Sequence, residues 1–180
     1  TDGRVVGYEV KAVDAQGLAV PDGAEGELCV RGPGMFARYS SEEETARAID
    51  GQGFFRTGDL GVMHGDTLTV TGRLKDLIIR GGENLSPVEI ENALACHPSV
   101  TEAAGGALPP QRLGEGVAAF LRCQPGAPEP TLAEVAAHLE KLGLARQKFP
   151  EAIVVIEDFP RTASGKVRKD LLRHRIKEEV

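Results

Sequence analysis

The sequence predicts an α+β fold in two consecutive parts: a β-rich first part, then a part in which strands alternate with helices. Three observations predict it. Short β-branched runs closed by Gly and Asp turns fill the chain up to about Thr71. Helix-start signals recur after Arg73. Between the later helices lie short apolar runs suited to a compact α+β domain.

In the first part, Val5 to Val13 alternates and reads as a strand, followed by the turn Asp14 to Gly17. Glu27 to Arg31 is a second strand, stopped by Gly32-Pro33-Gly34. Ser41 with Glu44 forms a capping-box pattern, in which the Ser oxygen takes an orphan amide and the Glu reaches back. It opens a short helix to about Ile49. Leu60 to Met63 and Leu68 to Thr71 form a hairpin around His64-Gly65-Asp66. The boundary falls near Leu74–Lys75, giving parts 1–74 and 75–180; no Pro/Gly linker marks it, so any hinge there is short.

In the second part, Leu77 to Arg80 is a strand running into Gly81-Gly82-Glu83-Asn84. Ser86-Pro87-Val88-Glu89 starts a helix, with proline at the first helical position. Ile90 and Leu94 give it a buried stripe at spacing four. Ala103-Ala104 and Val117 to Arg122 read as strands around a loop rich in Gly and Pro. Thr131 and Glu134 form another capping box, whose helix stops at Gly143. Ile153 to Ile156 is a short buried strand. Val167 to about Lys177 is a last helix with Leu171, Leu172 and Ile176 on one side.

Composition narrows the class. Of 180 residues, 41% are hydrophobic and 27% charged, which is enough for a packed core and unlike a disordered chain. A net charge of -6 and a pI near 5.3 argue against a nucleic-acid surface, which needs a basic field. No apolar run is long enough to span a membrane, and the first residues do not resemble a signal peptide. Cys29, Cys96 and Cys123 show neither disulfide nor metal-ligand spacing, and read as buried thiols of a reduced, cytoplasmic protein. His64, His97, His138 and His174 form no spaced cluster, so no metal held by protein ligands is expected.

Three segments stand out as chemistry rather than scaffold. Thr57-Gly58-Asp59-Leu60 places a carboxylate where it can accept hydrogen bonds from a ribose diol. On pattern alone, a turn aspartate bonding its own backbone is the commoner outcome. Gly72 to Asn84 flanks an apolar strand with charges, then offers two glycines that let the backbone turn or a ligand approach; the plain alternative is a hairpin with solvated charges. Pro160 to Lys166 presents one lysine, a point charge suited to phosphate, beside small residues. It is not a P-loop, which needs a Ser/Thr after the lysine, where Val167 stands. Taken alone it would be an ordinary surface lysine.

Together these segments resemble the adenylate-forming superfamily, which includes acyl-CoA synthetases, aryl-CoA ligases, luciferases and the adenylation domains of peptide synthetases. The resemblance runs through "GELCVRGPGMFARYSSEEETARAIDGQGFFRTGDL", "GRLKDLIIRGGENLSPVEIE" and "PRTASGKVRK". Arg38 before Tyr39 departs from it, since relatives more often carry Gly there. The superfamily's phosphate loop, adenine-contacting segment and acyl pocket lie upstream of the matching text. The resemblance therefore implies a C-terminal portion: 1–74 as the last β subdomain of the large AMP-binding domain, and 75–180 as the small mobile domain.

Residue by residue, the resemblance implies that Asp59 and Arg73 contact the ribose of ATP and AMP. Lys75 is then the pivot of the small domain, and Lys166 the catalytic lysine of adenylation. Gly81, Gly82 and Glu83 line the tunnel for the coenzyme A thiol. The implied reaction joins a carboxylic acid to ATP with Mg2+, releases pyrophosphate, and passes the acyl group to coenzyme A. The missing N-terminal domain is an implied partner, and the chain by itself is expected to be inactive. "GGENLSP" looks more like CoA ligases than peptide synthetases. An adenylation domain loading a carrier protein, a luciferase-like oxygenase and a non-catalytic nucleotide-binding module stay open as alternatives.

Overall fold

The computed structural model describes residues 1–111 and 114–179, with side chains at 1–109 and 114–175. It is α+β, and the chain divides into two compact units, Thr1–Lys75 and Asp76–Val180.

The first unit is built on one antiparallel sheet. Its strands are β1 (Gly3–Arg4), β2 (Glu9–Val13), β3 (Glu25–Arg31), β4 (Phe55–His64) and β5 (Thr67–Arg73), in the order β1-β5-β4-β3-β2. The hairpin predicted around Gly65 is there and is longer than expected, because the pairing of β4 with β5 continues to Asp59 opposite Arg73. The small core is Val13, Cys29 and Phe54. Lys11 and Arg31 stack their cations on the Phe54 ring, 4.2 and 4.4 Å from its centroid. Helix α1 (Glu42–Ala48) starts where the capping pattern put it, with the Ser41 oxygen accepting the Glu44 amide.

The second unit centres on β9 (Gly114–Cys123). It pairs antiparallel with β8 (Val100–Gln111) and parallel with β10 (Ala152–Val155), and touches the hairpin of β6 (Ile78–Arg80) and β7 (Glu83–Leu85) at Arg80. Both faces of β9 are buried, which is why its text is a continuous apolar run rather than an alternation. Val117, Ala119 and Leu121 face one cluster with Ile90 and Leu94 of α2 (Pro87–Ala95) and Val135 and Leu139 of α3 (Leu132–Lys141). Ala118 and Phe120 face a second cluster with Val154, Phe159 and Leu172 of α4 (Lys169–Glu179). The Thr131–Glu134 capping box is complete, and Gly143 closes α3 with bonds back to Glu140 and, through Leu144, to Leu139.

Three expectations are corrected. The supposed Gly/Pro loop after Ala104 is strand as far as Gln111: among the described residues β8 pairs only with β9, and an edge strand tolerates proline, here with a register shift between Leu108 and Gln111. Leu171 is exposed while Leu172 is buried, because consecutive helical residues point about 100° apart and only one can face the core; Ile176 lies outside the described side chains. Cys29 is buried, but Cys96 is exposed because it caps the C-terminus of α2, and Cys123 is half-buried at the end of β9. Among the described residues no helix is long and apolar enough to cross a membrane.

Candidate functional site

Asp59 does not sit on a turn after a strand, as its Gly-Asp context suggested. It lies within β4, at an irregularity where the pairing with β3 shifts register between Glu27 and Cys29. Gly58 makes this possible with a φ of +72°, a conformation costly for residues with a Cβ. Thr57 fixes the irregularity from inside: its hydroxyl donates to the Leu28 carbonyl at 2.7 Å and accepts the Asp59 amide at 3.0 Å.

Beneath it lies Glu27, the one buried charged residue among the described residues, 6% exposed. Its carboxylate accepts Nε and Nη2 of Arg56 at 2.8 and 2.5 Å and the Gly58 amide at 3.3 Å. That bond pushes the Arg56 guanidinium above its ordinary pKa. Glu27 was not singled out from the sequence. A charge inside the strand text "GELCVRG" was the only signal. These residues, with Tyr39, Arg47 and Phe55, border a concavity of about 560 Å³ in the first unit.

The two ribose candidates, separate in sequence, are cross-strand partners here. Asp59 on β4 faces Arg73 on β5, and Arg73 Nε donates to Asp59 Oδ1 at 2.5 Å. The Asp59 side chain keeps 28% of its surface exposed. The pair is thus an oriented carboxylate at the rim of the sheet, with acceptor capacity for a diol and a planar cation beside it. Lys75 is the last residue of the first unit and lies in a 3-10 turn, Leu74–Asp76.

In the second unit, Gly81 and Gly82 form the two-residue turn between β6 and β7, with φ of +59° and +84°. Both φ values are positive, as in the tightest hairpin turns. Chain neighbours aside, a Cβ at either glycine would meet no atom of the described residues within 4 Å, and the positive φ by itself demands glycine. The hairpin of the plain reading is there, but not all its charges are solvated: Arg80 and Asp76 keep 18% and 17% of their side-chain surface exposed and are ion-paired. Its turn is tethered: Arg80 reaches Glu151 and the Gln147 carbonyl, and Gln147 Nε2 donates to Glu83 at 3.1 Å.

Lys166 is exposed on a closed loop. The Thr162 amide donates to the Lys166 carbonyl at 2.9 Å, Gly165 donates back to Thr162, and the Lys166 amide reaches the Thr162 hydroxyl at 3.2 Å. Arg161 and Val167 bridge across its base. The polar loop expected from the sequence is thus an ordered one. Asp59 and Arg73 belong to the first unit, and Gly81, Gly82, Glu83 and Lys166 to the second.

Residues 89–166 match the profile of the AMP-binding enzyme C-terminal domain. The chain is 44% identical to the medium-chain fatty-acid–CoA ligase of Escherichia coli, over 96% of the chain and 31% of that protein. It is equally identical, 44%, to the pseudomonine synthase PmsE of Pseudomonas entomophila, over 99% of the chain and 30% of that protein. Among solved structures, ATP-bound MatB from Rhodopseudomonas palustris superposes with a TM-score of 0.90 at 35% identity, over 97% of this chain and 35% of that one. The chain spans about a third of the length of these relatives. It belongs to the adenylate-forming, AMP-binding enzyme family, and corresponds to its C-terminal portion.

Proposed function

We propose that this chain works as the C-terminal part of an ATP-dependent carboxylic acid:CoA ligase of the cytoplasm. Residues 1–74 are then the last β subdomain of the large AMP-binding domain, 75–180 the small mobile domain, and Lys75 the pivot between them. The observation that carries the reading is the Asp59–Arg73 pair: two residues fourteen positions apart, held in register at 2.5 Å, present one ordered carboxylate at the sheet rim. Such a carboxylate accepts both hydroxyls of a ribose, and the guanidinium holds it in place.

In the first half-reaction the acid's carboxylate oxygen attacks the α-phosphorus of ATP, and the bond to pyrophosphate breaks. Lys166 supplies a cation where negative charge gathers between carboxylate and α-phosphate; loss of such a group costs about 3–4 kcal/mol, or roughly 10²–10³ in rate. In the second half-reaction the thiol of coenzyme A loses its proton and attacks the acyl carbonyl, and AMP departs. The Gly81–Gly82 turn and Glu83 line the approach of that thiol, and the lack of a side chain at both glycines leaves it room. Bound with ATP, Mg2+ would offset the phosphate charge. The large N-terminal domain would supply the acyl pocket, so the chain alone turns nothing over.

A second reading is specific enough to keep: an adenylation enzyme that loads a carrier protein. Identity over the whole chain does not separate the two readings, since a pseudomonine synthase matches as well as the fatty-acid–CoA ligase and a 2,3-dihydroxybenzoate-AMP ligase of Bacillus subtilis is 39% identical. The ligase containing this chain should be given ATP and a panel of short, medium-chain and aryl carboxylic acids, with and without coenzyme A. Acyl-CoA and AMP formed only with coenzyme A bear out the ligase. Adenylate and pyrophosphate with no CoA product shift the assignment to carrier loading and remove the role of Gly81, Gly82 and Glu83.

A further inference from the structure

The Lys166 loop is held in two ways. The loop is closed by its own backbone bonds, yet those bonds fix only its shape. What ties its tip to the sheet is Arg161. Its Nη2 donates to both carboxylate oxygens of Glu102 on β8, each at 2.6 Å, and its Nη1 donates to the carbonyl of Gly165 at 3.0 Å. One planar guanidinium therefore joins the residue next to Lys166 to a strand of the central sheet. The planar guanidinium holds both directions in a fixed geometry, whereas a lysine ammonium is a flexible point charge that fixes neither.

Glu102 is held in turn. Arg122 approaches it to 3.8 Å, and Arg122 is oriented by the Thr101 hydroxyl at 3.2 Å and by Asp158 at 3.4 Å. The stem of the loop has separate anchors, since Phe159 is buried and Val167 packs against the same apolar cluster. Removing Arg161 therefore frees the tip and leaves the stem in place.

We propose that Arg161, braced by Glu102, is a positioning residue that fixes where Lys166 presents its ammonium; the inference rests on the reading of Lys166 as the adenylating cation. Lysine carries large rotamer freedom, and a wandering backbone adds to it. A misplacement of about 1 Å costs on the order of 10²-fold in rate.

The test uses the ligase containing this chain, with the acid the panel selects, and the variants Arg161→Ala, Arg161→Lys, Glu102→Gln and Lys166→Ala. Adenylation is read as acid-dependent ATP–pyrophosphate exchange, thioester formation from supplied acyl-adenylate, and loop order by amide exchange at residues 161–167. Arg161→Ala and Glu102→Gln should slow adenylation by about 10- to 100-fold, spare the thioester step, and speed exchange of the Gly165 and Lys166 amides. Arg161→Lys should fall between Ala and the parent. Adenylation at the parent rate in Arg161→Ala, with Lys166→Ala inactive, overturns the positioning role. Equal loss of both half-reactions, or unchanged loop exchange, overturns it too. If Lys166→Ala still adenylates, the reading of Lys166 falls and takes the proposal with it.

Discussion

Replacing Glu27 by Gln should weaken the first unit selectively. The carboxylate is nearly fully buried, and it holds two arms of Arg56 and the Gly58 amide. A Gln in the same place keeps one carbonyl oxygen and turns the other position into an NH2. That NH2 must face either the guanidinium or the Gly58 N–H, so one contact becomes donor against donor. Hydrogen bonds to charged groups contribute about 1.5–3 kcal/mol net. Breaking a fully buried ion pair costs about 3–5 kcal/mol, but the Arg56 side chain is 38% exposed and water takes up part of its loss. The expected cost is about 2–3 kcal/mol.

The chain offers a clean probe of this. It has no Trp and two Tyr, Tyr8 and Tyr39, both in the first unit, so tyrosine emission reports that unit alone. With a urea slope of about 1 kcal/mol/M for a unit this small, the midpoint should fall by about 2–3 M at unchanged slope. A shift below about 0.5 M, the cost of an ordinary surface change, would refute the claim that Glu27 holds the irregularity under Asp59.

Other consequences follow from single residues. Burial, and then neighbouring His138, hold the His97 imidazole below its usual pKa of 6.5, and its Nδ1 accepts the Ser99 amide at 3.2 Å. The folded state therefore binds fewer protons than the unfolded one: stability is whole above pH 6.5 and is lost as pH falls through that value toward the folded pKa. The carboxylates whose pKa is lowered start from 4.5 or below, so a loss between pH 6.5 and 5 belongs to His97. Histidine NMR titration with denaturation of His97→Gln checks this; an unaltered pH profile in the variant contradicts it. Gly81→Ala should cost about 1–2 kcal/mol through its positive φ alone, and Gly81→Asn less, since Asn tolerates that conformation. Equal losses measured by urea denaturation would point to a steric cause instead. A thiol reagent should label Cys96 first; Cys123 and Cys29, whose pKa values burial raises, should follow slowly, and rapid labelling of Cys29 would mean the β3 face is open.

Much of the fold was legible because it is written locally. Caps at Ser41 and Thr131, proline at Pro87, and the stripe of Ile90 and Leu94 each carry their meaning within a few residues. The length of β8 was not, because a Gly- and Pro-rich edge strand is defined by its pairing with β9, and pairing is a long-range fact. Leu171 misled because a stripe with two adjacent leucines is ambiguous by one helical step. The candidate residues divide the same way. Asp59, Arg73 and Lys166 were marked by motif text, whereas Glu27 under Asp59 and Glu102 against Arg161 are long-range partners that no spacing announces.

The most direct test of the central claim separates the two half-reactions in the ligase containing this chain. Lys166→Ala should abolish acid-dependent ATP–pyrophosphate exchange, a loss of roughly 10²–10³ or more, while supplied acyl-adenylate is still converted to thioester by coenzyme A at the parent rate. Equal loss of both steps, or adenylation at the parent rate, would contradict the assignment of Lys166 to the adenylating step.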